Sequence, residues 1–314
     1  MKNQCLCCQS RESDEPILHG YHPGCTRRLF GAEIPPKVSF STIDIVGEAQ
    51  KMVGKMSVSG VQPKLSVVHD LQKACLSVVQ RGGEYILKPQ TDVFPMLPEN
   101  ENLCMQIASV FGIDVPSHGL LLLTDGRFAY GVRRFDRTKD GSKLHQEDFQ
   151  QLLEADDKYE GSHERIANFI KKHSVSPMPD LVRLYERSIL FFVLGNGDAH
   201  LKNFSLIRTR ASGYQLSPAY DIVSSRLALP AEQEELCLSV QGKKNRISRK
   251  DFLRLSKHFG LAEGHAEHVF DHLKHLEPKI GQMIRESFLS KELKDRFIEI
   301  FRQRMERLFT LSEP

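Results

Sequence analysis

The stretch GNGDAHLKN, at residues 195–203, places polar side chains directly after an apolar run at residues 189–194. A continuous apolar run of this kind is typical of a buried element. Four polar side chains follow it within six positions: Asp198, His200, Lys202 and Asn203. A loop that is rooted in a core holds its side chains in place, and such loops often carry catalytic residues. The stretch therefore predicts a functional loop.

The composition is that of an ordinary soluble globular protein. The 314 residues are 40% hydrophobic and 26% charged, which is enough for two domains or one two-lobed domain. No apolar run approaches the roughly 18 residues that span a bilayer, and the N-terminus lacks the apolar core of a signal peptide. We therefore expect a cytoplasmic protein with no membrane partner. Seven cysteines do not favour a disulfide framework, and a net charge of +3 does not by itself indicate nucleic acid.

The N-terminal part of the chain is predicted to be irregular at first and then rich in strands. Residues 1–56 show clustered cysteines and no regular pattern. Short runs enriched in β-branched and aromatic residues follow, separated by turn signals. These runs predict strands at residues 65–69, 74–80, 84–88, 119–124 and 127–135. One helix is predicted at residues 98–112, because Pro98 suits a first helical turn and Gly112 a helix end.

The rest of the chain is predicted to be mostly helical. The predicted helices are residues 145–155, 162–173, 179–196, 249–260 and the tail from 262 to 311. Residues 204–209 and 213–217 predict a hairpin. The pattern as a whole predicts an α+β protein with an N-terminal segment at 1–56, a β-rich lobe at 57–134 and a helical lobe at 135–314. Clefts between two such lobes are common ligand sites.

The spacing of the polar loop is typical of phosphoryl transfer. An Asp followed five positions later by an Asn, as in Asp198 and Asn203, is the spacing of a kinase catalytic loop. The carboxylate can accept a proton from an attacking hydroxyl, and the amide oxygen can bind Mg²⁺. A second carboxylate is then expected after a short hairpin, and Asp221 in SPAYDIVSS meets that expectation.

The strand-rich part supplies the other groups that a kinase needs. A kinase uses a cationic side chain from a strand, and Lys88 ends the apolar run EYILK. A kinase also uses a loop whose backbone covers the phosphates. The stretch KMSVSGVQPK offers such a loop, which contains Ser57, Ser59 and Gly60.

Seven motifs occur here in the order and spacing of one known family. They are SVSGVQPKLSV, YILKPQ, LPENENLCMQIA, RRFDR, HQEDF, NGDAHLKNFSLI and LSPAYDIVSS, between residues 57 and 225. In these motifs the chain resembles the HipA-like kinases, which are serine/threonine kinase toxins of bacterial toxin–antitoxin modules. The resemblance implies a two-lobed, protein-kinase-like fold. Because only about 56 residues precede the SVSG loop, the chain resembles the short, HipT-like form that lacks an N-terminal subdomain.

The resemblance also implies a role for individual residues. Asp198 would be the catalytic base, supported by His200, with Asn203 and Asp221 as the Mg²⁺ ligands. Lys88 would bind the ATP phosphates, and either Glu99 or Glu101 would pair with it. Lys202 would contact phosphate or face solvent. The hinge beside adenine and ribose would include Arg134, Phe135 and Asp136.

The family further implies regulation and partners. A serine of the SVSG loop, Ser57 or Ser59, would be autophosphorylated, because added negative charge repels the ATP phosphates. The implied substrate is an aminoacyl-tRNA synthetase, with the tryptophanyl enzyme favoured, so that translation and growth stop. The implied partners are a small HipS-like protein that resembles the missing subdomain and a HipB-like helix-turn-helix protein. The basic stretch at 243–250 would reach DNA only through that assembly, would steer an acidic substrate, or is a solvated loop before a helix.

The cysteine-rich N-terminus allows a separate metal site. Cys5 and Cys8 are spaced like His22 and Cys25, and paired nitrogen and sulfur ligands at this spacing suit a structural Zn²⁺. The alternative is that these residues are simply reduced thiols.

Two other classes of function stay open from the residues alone. Small-molecule phosphotransferases share the Asp-x4-Asn loop, although they lack the SVSGVQPK and LKP pair. A pseudokinase that binds without catalysis is disfavoured, because Lys88, Asp198, Asn203 and Asp221 are all present.

Overall fold

The computed structural model describes residues 4–10, 16–53, 62–138, 140–209 and 213–310. Its contacts divide the chain into two compact units. The first unit comprises Met1–Gln106, Pro116–Lys143 and Glu286–Leu289, and the second comprises Ile107–Val115, Leu144–Arg285 and Ser290–Pro314. In the described ranges, no helix is both long enough and apolar enough to cross a membrane.

The first unit is built on a five-stranded antiparallel sheet. Its elements are α1 (Pro23–Phe30), α2 (Thr42–Val53), β1 (Leu65–Asp70), β2 (Cys75–Val78), β3 (Tyr85–Pro89), α3 (Leu97–Phe111), β4 (His118–Leu122) and β5 (Phe128–Arg133). The end of α3, from Ile107, belongs to the second unit. The strand order is β2-β1-β3-β5-β4. The five strands and the helix α3 confirm the sequence prediction to within a few residues. Lys88 lies on the central strand β3, opposite Tyr130 of β5.

The prediction that residues 1–56 are irregular is wrong. This segment contains the two helices α1 and α2. Helix α1 has Pro23 in its first turn and ends at Gly31, whose φ of 67° is the left-handed conformation that glycine adopts without strain. Helix α2 is preceded by Ser41, whose hydroxyl and backbone N–H both donate to the carboxylate of Asp44. These are ordinary helix-terminal signals, but the clustered cysteines and prolines conceal them.

The N-terminal residues cover both edges of the sheet. On one side, Lys37 pairs with Cys75 of the edge strand β2. On the other side, the N–H of Leu120 in the edge strand β4 donates to the carbonyl of Leu6 at 2.8 Å. Covered edges cannot pair with another chain. The side chains of this segment also join the hydrophobic core of the sheet: Cys5, Cys7, Tyr21, Cys25, Leu29, Phe30 and Ile45.

The second unit is mostly helical. Its elements are β6 (Gln146–Asp148), α4 (Phe149–Leu152), α5 (His163–His173), α6 (Pro177–Leu194), a 3-10 turn (Leu201–Asn203), β7 (Ser205–Thr209), β8 (Gly213–Leu216), α7 (Ser225–Ala228), α8 (Arg249–Phe259), α9 (His265–Glu286) and α10 (Lys291–Phe309). The predicted hairpin is confirmed as β7 and β8, with residues 210–212 outside the described ranges. Every residue from Ser188 to Leu194 is buried, so the apolar run of α6 lies in the core.

One predicted helix, at residues 145–155, is wrong in its first part. Residues 146–148 form the strand β6, which pairs with β7 through Gln146 and Ile207. The helix α4 begins only after Asp148, whose carboxylate accepts the N–H of Gln151 at 3.0 Å and caps the helix. Because β7 satisfies the backbone groups of β6, the local helical pattern of this segment is overridden by pairing that the sequence does not show.

Candidate active site

The polar loop begins where a glycine ends the helix α6. Gly195 has a φ of 67°, and its N–H donates to the last turn of the helix. A Cβ at this position would lie 2.9 Å from Cγ2 of Ile300, so no other residue fits without movement. The left-handed glycine turns the chain sharply out of the buried helix. The side chains after it therefore start from a fixed point in the core.

Two hydrogen bonds hold the loop after this turn. The N–H of Gly197 donates to Oγ of Ser225 at 2.8 Å. The N–H of Leu201 donates to the carbonyl of Lys158 at 3.0 Å. These bonds attach the loop to α7 and to the segment before α5, which positions the 3-10 turn at its end.

Asn203 and Asp221, the two predicted metal ligands, lie side by side. Nδ2 of Asn203 donates to Oδ2 of Asp221 at 3.2 Å. Oδ1 of Asn203 accepts the N–H of His200 at 2.9 Å, which leaves its second lone pair for another partner. An amide oxygen and a carboxylate are hard oxygen donors, which fit Mg²⁺.

The backbone of Asp221 has an uncommon conformation. Its φ is 61°, in the left-handed region that non-glycine residues seldom adopt. Residues held in this region cluster at functional sites, where the fold has to aim one side chain in a particular direction. The left-handed backbone of Asp221 therefore supports a functional role for its carboxylate.

Asp198, the predicted base, has an exposed side chain whose pKa is nevertheless raised. The main cause is partial desolvation by the surrounding protein. The cation of Lys158 opposes the rise, and the negative charges of Asp221 and Glu232 add to it. A carboxyl group with a raised pKa accepts a proton more readily than an ordinary one, which suits a general base.

His200 contacts a cation that the sequence did not suggest. Its Nε2 lies 2.9 Å from Nζ of Lys158. Burial, followed by the charge of Lys158, lowers the pKa of His200 to about 4. The lowered pKa favours a neutral ring near pH 7, whose Nε2 can accept a hydrogen bond from the lysine.

Lys158, which the sequence did not single out, is the residue that makes this contact with His200. It lies 42 residues before His200 in a polar loop, and no motif marks it. Its Nζ also lies 4.6 Å from the centre of the Tyr159 ring, a cation–π contact that helps to hold the ammonium in place. Lys202, by contrast, is exposed.

In the first unit, Lys88 forms a buried ion pair with Glu101. Nζ of Lys88 lies 2.6 Å from Oε1 of Glu101, and the two side chains are 7% and 4% exposed. The structure thus selects Glu101 from the two glutamates that the sequence left open. Burial instead raises the pKa of Glu99 to about 7.

The predicted hinge residues are held by ion pairs. Asp136 accepts two hydrogen bonds from Arg134, at 2.9 and 2.7 Å, and one from Arg137 at 2.7 Å. Burial acts to raise the pKa of Asp136, but the two guanidinium groups outweigh it and the pKa is lowered. Phe135, between them, is half-buried. The Asp136 carboxylate is therefore ionised and rigidly oriented.

The SVSG loop falls largely outside the described residues. Ser57, Ser59 and Gly60 lie in the stretch 54–61, of which nothing is described. Gln62, just after this stretch, donates from Nε2 to the carbonyl of Pro89 at 3.0 Å. The end of the loop is therefore attached next to Lys88.

The predicted zinc ligands lie together in the first unit. The ligand atoms of Cys5, Cys8, His22 and Cys25 all fall within 4.8 Å of one another. Cys5, His22 and Cys25 are buried.

Comparison with known proteins identifies the class to which this fold and these residues belong. Residues 56–280 match the family described as HipA-like C-terminal domain. A protein of Haemophilus influenzae named "Putative kinase" is 30% identical, with 94% of this chain and 93% of that protein covered. "Putative kinase Y4dM" of Sinorhizobium fredii is 33% identical, over 57% of this chain and 47% of that protein. The chain belongs to the HipA-like kinase family.

Two solved structures share the fold at lower identity. The HipA toxin of Shewanella oneidensis, in complex with HipB and operator DNA, has a TM-score of 0.64 and 24% identity, covering 81% of this chain and 65% of that chain. The proinflammatory kinase CtkA of Helicobacter pylori has a TM-score of 0.51 and 17% identity, covering 74% and 90%. These likenesses support a kinase-like α+β fold.

Proposed function

We propose that the chain is an ATP-dependent serine/threonine protein kinase of the HipA type. The observation that carries the proposal is the contact between Asn203 and Asp221, beside the loop that contains Asp198. These three residues have the chemistry of a phosphoryl-transfer site, which depends on positioning and charge neutralisation rather than on a covalent intermediate.

In the proposed reaction, Asp198 accepts the proton of a serine hydroxyl on the target protein. The hydroxyl oxygen forms a bond to the γ-phosphorus of ATP, and the bond between that phosphorus and the β–γ bridging oxygen breaks. The products are phosphoserine on the target and ADP. The raised pKa of Asp198 favours the first step, because a stronger base takes the hydroxyl proton more readily.

Asn203 and Asp221 would hold Mg²⁺, which neutralises negative charge on the phosphates when it is bound. The side chain of His200, neutral and fixed by Lys158, would keep the loop in shape beside them. Lys202, at the exposed surface of the same loop, is proposed to contact phosphate.

Lys88 is proposed to bind the phosphates of ATP. Its pairing with Glu101 fixes the direction of the ammonium group, as the lysine–glutamate pair does in protein kinases. Arg134, Phe135 and Asp136 are proposed to lie beside the adenosine. The ion pairs of Asp136 support this role, because they hold its carboxylate still and leave one lone pair of Oδ1 to accept from a ribose hydroxyl.

Regulation is proposed to act through the SVSG loop, with Ser57 and Ser59 as autophosphorylation sites. A phosphate adds about −1.5 to −2 charges, which would repel the phosphates of ATP. The anchoring of Gln62 beside Lys88 supports this, because it restrains one end of the loop close to the phosphate-binding lysine.

The proposed substrate is an aminoacyl-tRNA synthetase, with the tryptophanyl enzyme favoured by resemblance to the short HipT-like kinases. Phosphorylation of that enzyme would stop translation and growth. A HipB-like DNA-binding protein is a proposed partner, supported by the HipA–HipB–DNA complex among the similar structures. A small HipS-like protein is the second proposed partner.

Phosphoproteomics tests the proposal. Cells that express the chain should gain phosphoserine on a synthetase, and cells that express Asp221→Asn should not. If only proteins other than synthetases gain phosphate, the proposed kinase activity is supported and the proposed synthetase substrate is refuted. If protein phosphorylation is unchanged and labelled phosphate is found on a small alcohol, the chain is a small-molecule phosphotransferase; if ATP is bound and never consumed, it is a pseudokinase.

A further inference from the structure

The first unit contains a cluster of thiols and imidazole that the kinase chemistry does not use. The ligand atoms of Cys5, Cys8, His22 and Cys25 all lie within 4.8 Å of one another. Nδ1 of His22 is 3.3 Å from Sγ of Cys8. The turn that contains Cys5 and Cys8 and the start of helix α1, which supplies His22 and Cys25, therefore converge on one point.

From this convergence we infer that the four residues form a structural Zn²⁺ site with three thiolates and one imidazole. Zn–S bonds of about 2.3 Å and Zn–N bonds of about 2.0 Å place tetrahedral ligand atoms ~3.5–3.8 Å apart. The separation between Cys8 and His22 is already close to that value. No two of the four ligand atoms lie more than 4.8 Å apart, which exceeds the tetrahedral separation by about 1 Å.

The groups around the cluster suit a metal site. The N–H of His22 donates to Sγ of Cys5 at 3.4 Å, and backbone donors of this kind stabilise a ligating thiolate. Three thiolates and a neutral imidazole leave a Zn²⁺ site with a net charge of −1. Nη2 of Arg28 is 4.0 Å from Sγ of Cys25 and supplies the compensating charge.

Cys7 is excluded from the ligand set although it lies in the same turn. Its Sγ is 3.1 Å from the carbonyl oxygen of His118, to which the thiol donates, and it accepts from Arg28 at 3.3 Å. A group that donates its proton is a thiol, whereas a zinc ligand is a thiolate. Cys7 therefore provides an internal control within the cluster.

The four residues lie in the segment that contacts the edge strand β4, so a metal bound there would have a structural role. Leu6, between two cysteines of the cluster, accepts the N–H of Leu120, and the hydroxyl of Tyr21 donates to the carbonyl of Leu120 at 2.7 Å. Both contacts are made to the edge strand β4. The metal would thus fasten the segment that covers this edge of the sheet.

The test measures metal content in the full chain under reducing conditions, without ATP. We expect about one zinc per chain for the wild type and for Cys7→Ser, and almost none for Cys8→Ser. Cys75→Ser, which changes a half-buried cysteine outside the cluster, should keep its zinc. A chelator should lower the melting temperature of the wild type and leave that of Cys8→Ser unchanged.

A second measurement covers the case in which Cys8→Ser does not fold. The wild type reconstituted with Co²⁺ should show the intense visible absorption of a tetrahedral thiolate site. Absence of zinc and of this absorption overturns the proposal. So does equal loss of zinc from Cys7→Ser and Cys8→Ser, or a disulfide within the cluster of the protein isolated from cells. None of these readouts depends on kinase activity, so failure here is distinct from failure of the proposed function.

Discussion

At the scale of single residues, several charged side chains of the candidate site are partly or fully buried. Asp198 is a carboxylate with a raised pKa, and Lys158 is the cation that limits the rise. Lys88 and Glu101 are a buried pair in which each charge makes the burial of the other tolerable. Each of these arrangements predicts a measurable effect of one substitution.

Lys158→Met should move the acid limb of the pH profile of kcat/KM to higher pH. The proposed base works only when ionised, so activity is lost as the pH falls through the pKa of Asp198. Lys158 lowers that pKa, and its removal therefore raises it further above the ordinary value of about 3.9. Lys172→Met, on the exposed face of α5, is the control. An unchanged limb, or one shifted to lower pH, would contradict the assignment of Asp198.

Glu101→Gln should reduce both activity and stability. The buried ammonium of Lys88 loses the negative charge of Glu101, and we expect the free energy of unfolding in urea to fall by about 3–5 kcal/mol. The KM for ATP should rise because Lys88 is no longer held in direction. Glu48→Gln breaks the solvated pair with Lys51 and should change neither quantity measurably. Equal effects of the two substitutions would argue against a special role for the buried pair.

At the scale of elements, the end of α6 determines where the proposed catalytic loop starts. Its glycine is needed both for its left-handed backbone and for the close approach of Ile300. The end of α8 makes a useful comparison, since Gly260 has a φ of 76° and no atom near the position of a Cβ.

Gly195→Ala should therefore cost more than Gly260→Ala. Both substitutions strain the backbone, which costs about 1–2 kcal/mol. Only Gly195→Ala adds a contact at 2.9 Å, and only it should lower kcat, since the loop with Asp198 must move. Chemical denaturation and steady-state kinetics on both variants check this. A loss of activity in Gly260→Ala as large as in Gly195→Ala would show that the effect is not local.

The sequence predicted elements well where their pattern is local. The strands of the first unit, the helix α3 and the hairpin β7–β8 follow from alternation, turn residues and helix-end signals. The strand β6 could not be predicted, because it exists only through pairing with β7. Helices α1 and α2 had signals, in Pro23, Gly31 and the Ser41–Asp44 pair, that the cysteine cluster obscured.

The residues of the candidate site likewise fall into those with a local sequence pattern and those that only the fold brings together. Asp198, Asn203 and Asp221 could be found because the spacing of two of them and the hairpin before the third lie in the sequence. The choice of Glu101 over Glu99 could not, since both fall on the first turns of α3 and only the fold shows which one faces Lys88. Lys158 carries no local signal at all.

At the largest scale, the family assignment covers residues of both units. The matched region, residues 56–280, contains Lys88 in the first unit and Asp198, Asn203 and Asp221 in the second. A protein that binds a ligand only in its folded state gains stability from that ligand.

Mg²⁺ and ATP together should raise the melting temperature of the chain. A ligand at 100 times its Kd stabilises the folded state by about 2.7 kcal/mol, which corresponds to a shift of several degrees. Asp221→Asn should lose most of the Mg²⁺-dependent part of the shift. Differential scanning fluorimetry with ATP, with and without Mg²⁺, measures both. If the Mg²⁺-dependent rise in melting temperature is the same in Asp221→Asn as in the wild type, Asp221 is not a ligand of the metal.

Transfer of labelled γ-phosphate from ATP to protein, in the presence of Mg²⁺, is the decisive measurement of the proposed kinase activity. The purified chain is incubated alone and with a bacterial extract, and label in the protein fraction is counted for the wild type, Asp198→Asn and Asp156→Asn. We predict that Asp198→Asn lowers the rate by about 10²- to 10⁴-fold while ATP binding is retained. Asp156→Asn, on an exposed loop, should match the wild type. Transfer by Asp198→Asn at the wild-type rate, or no transfer by the wild type to any protein, would contradict the account.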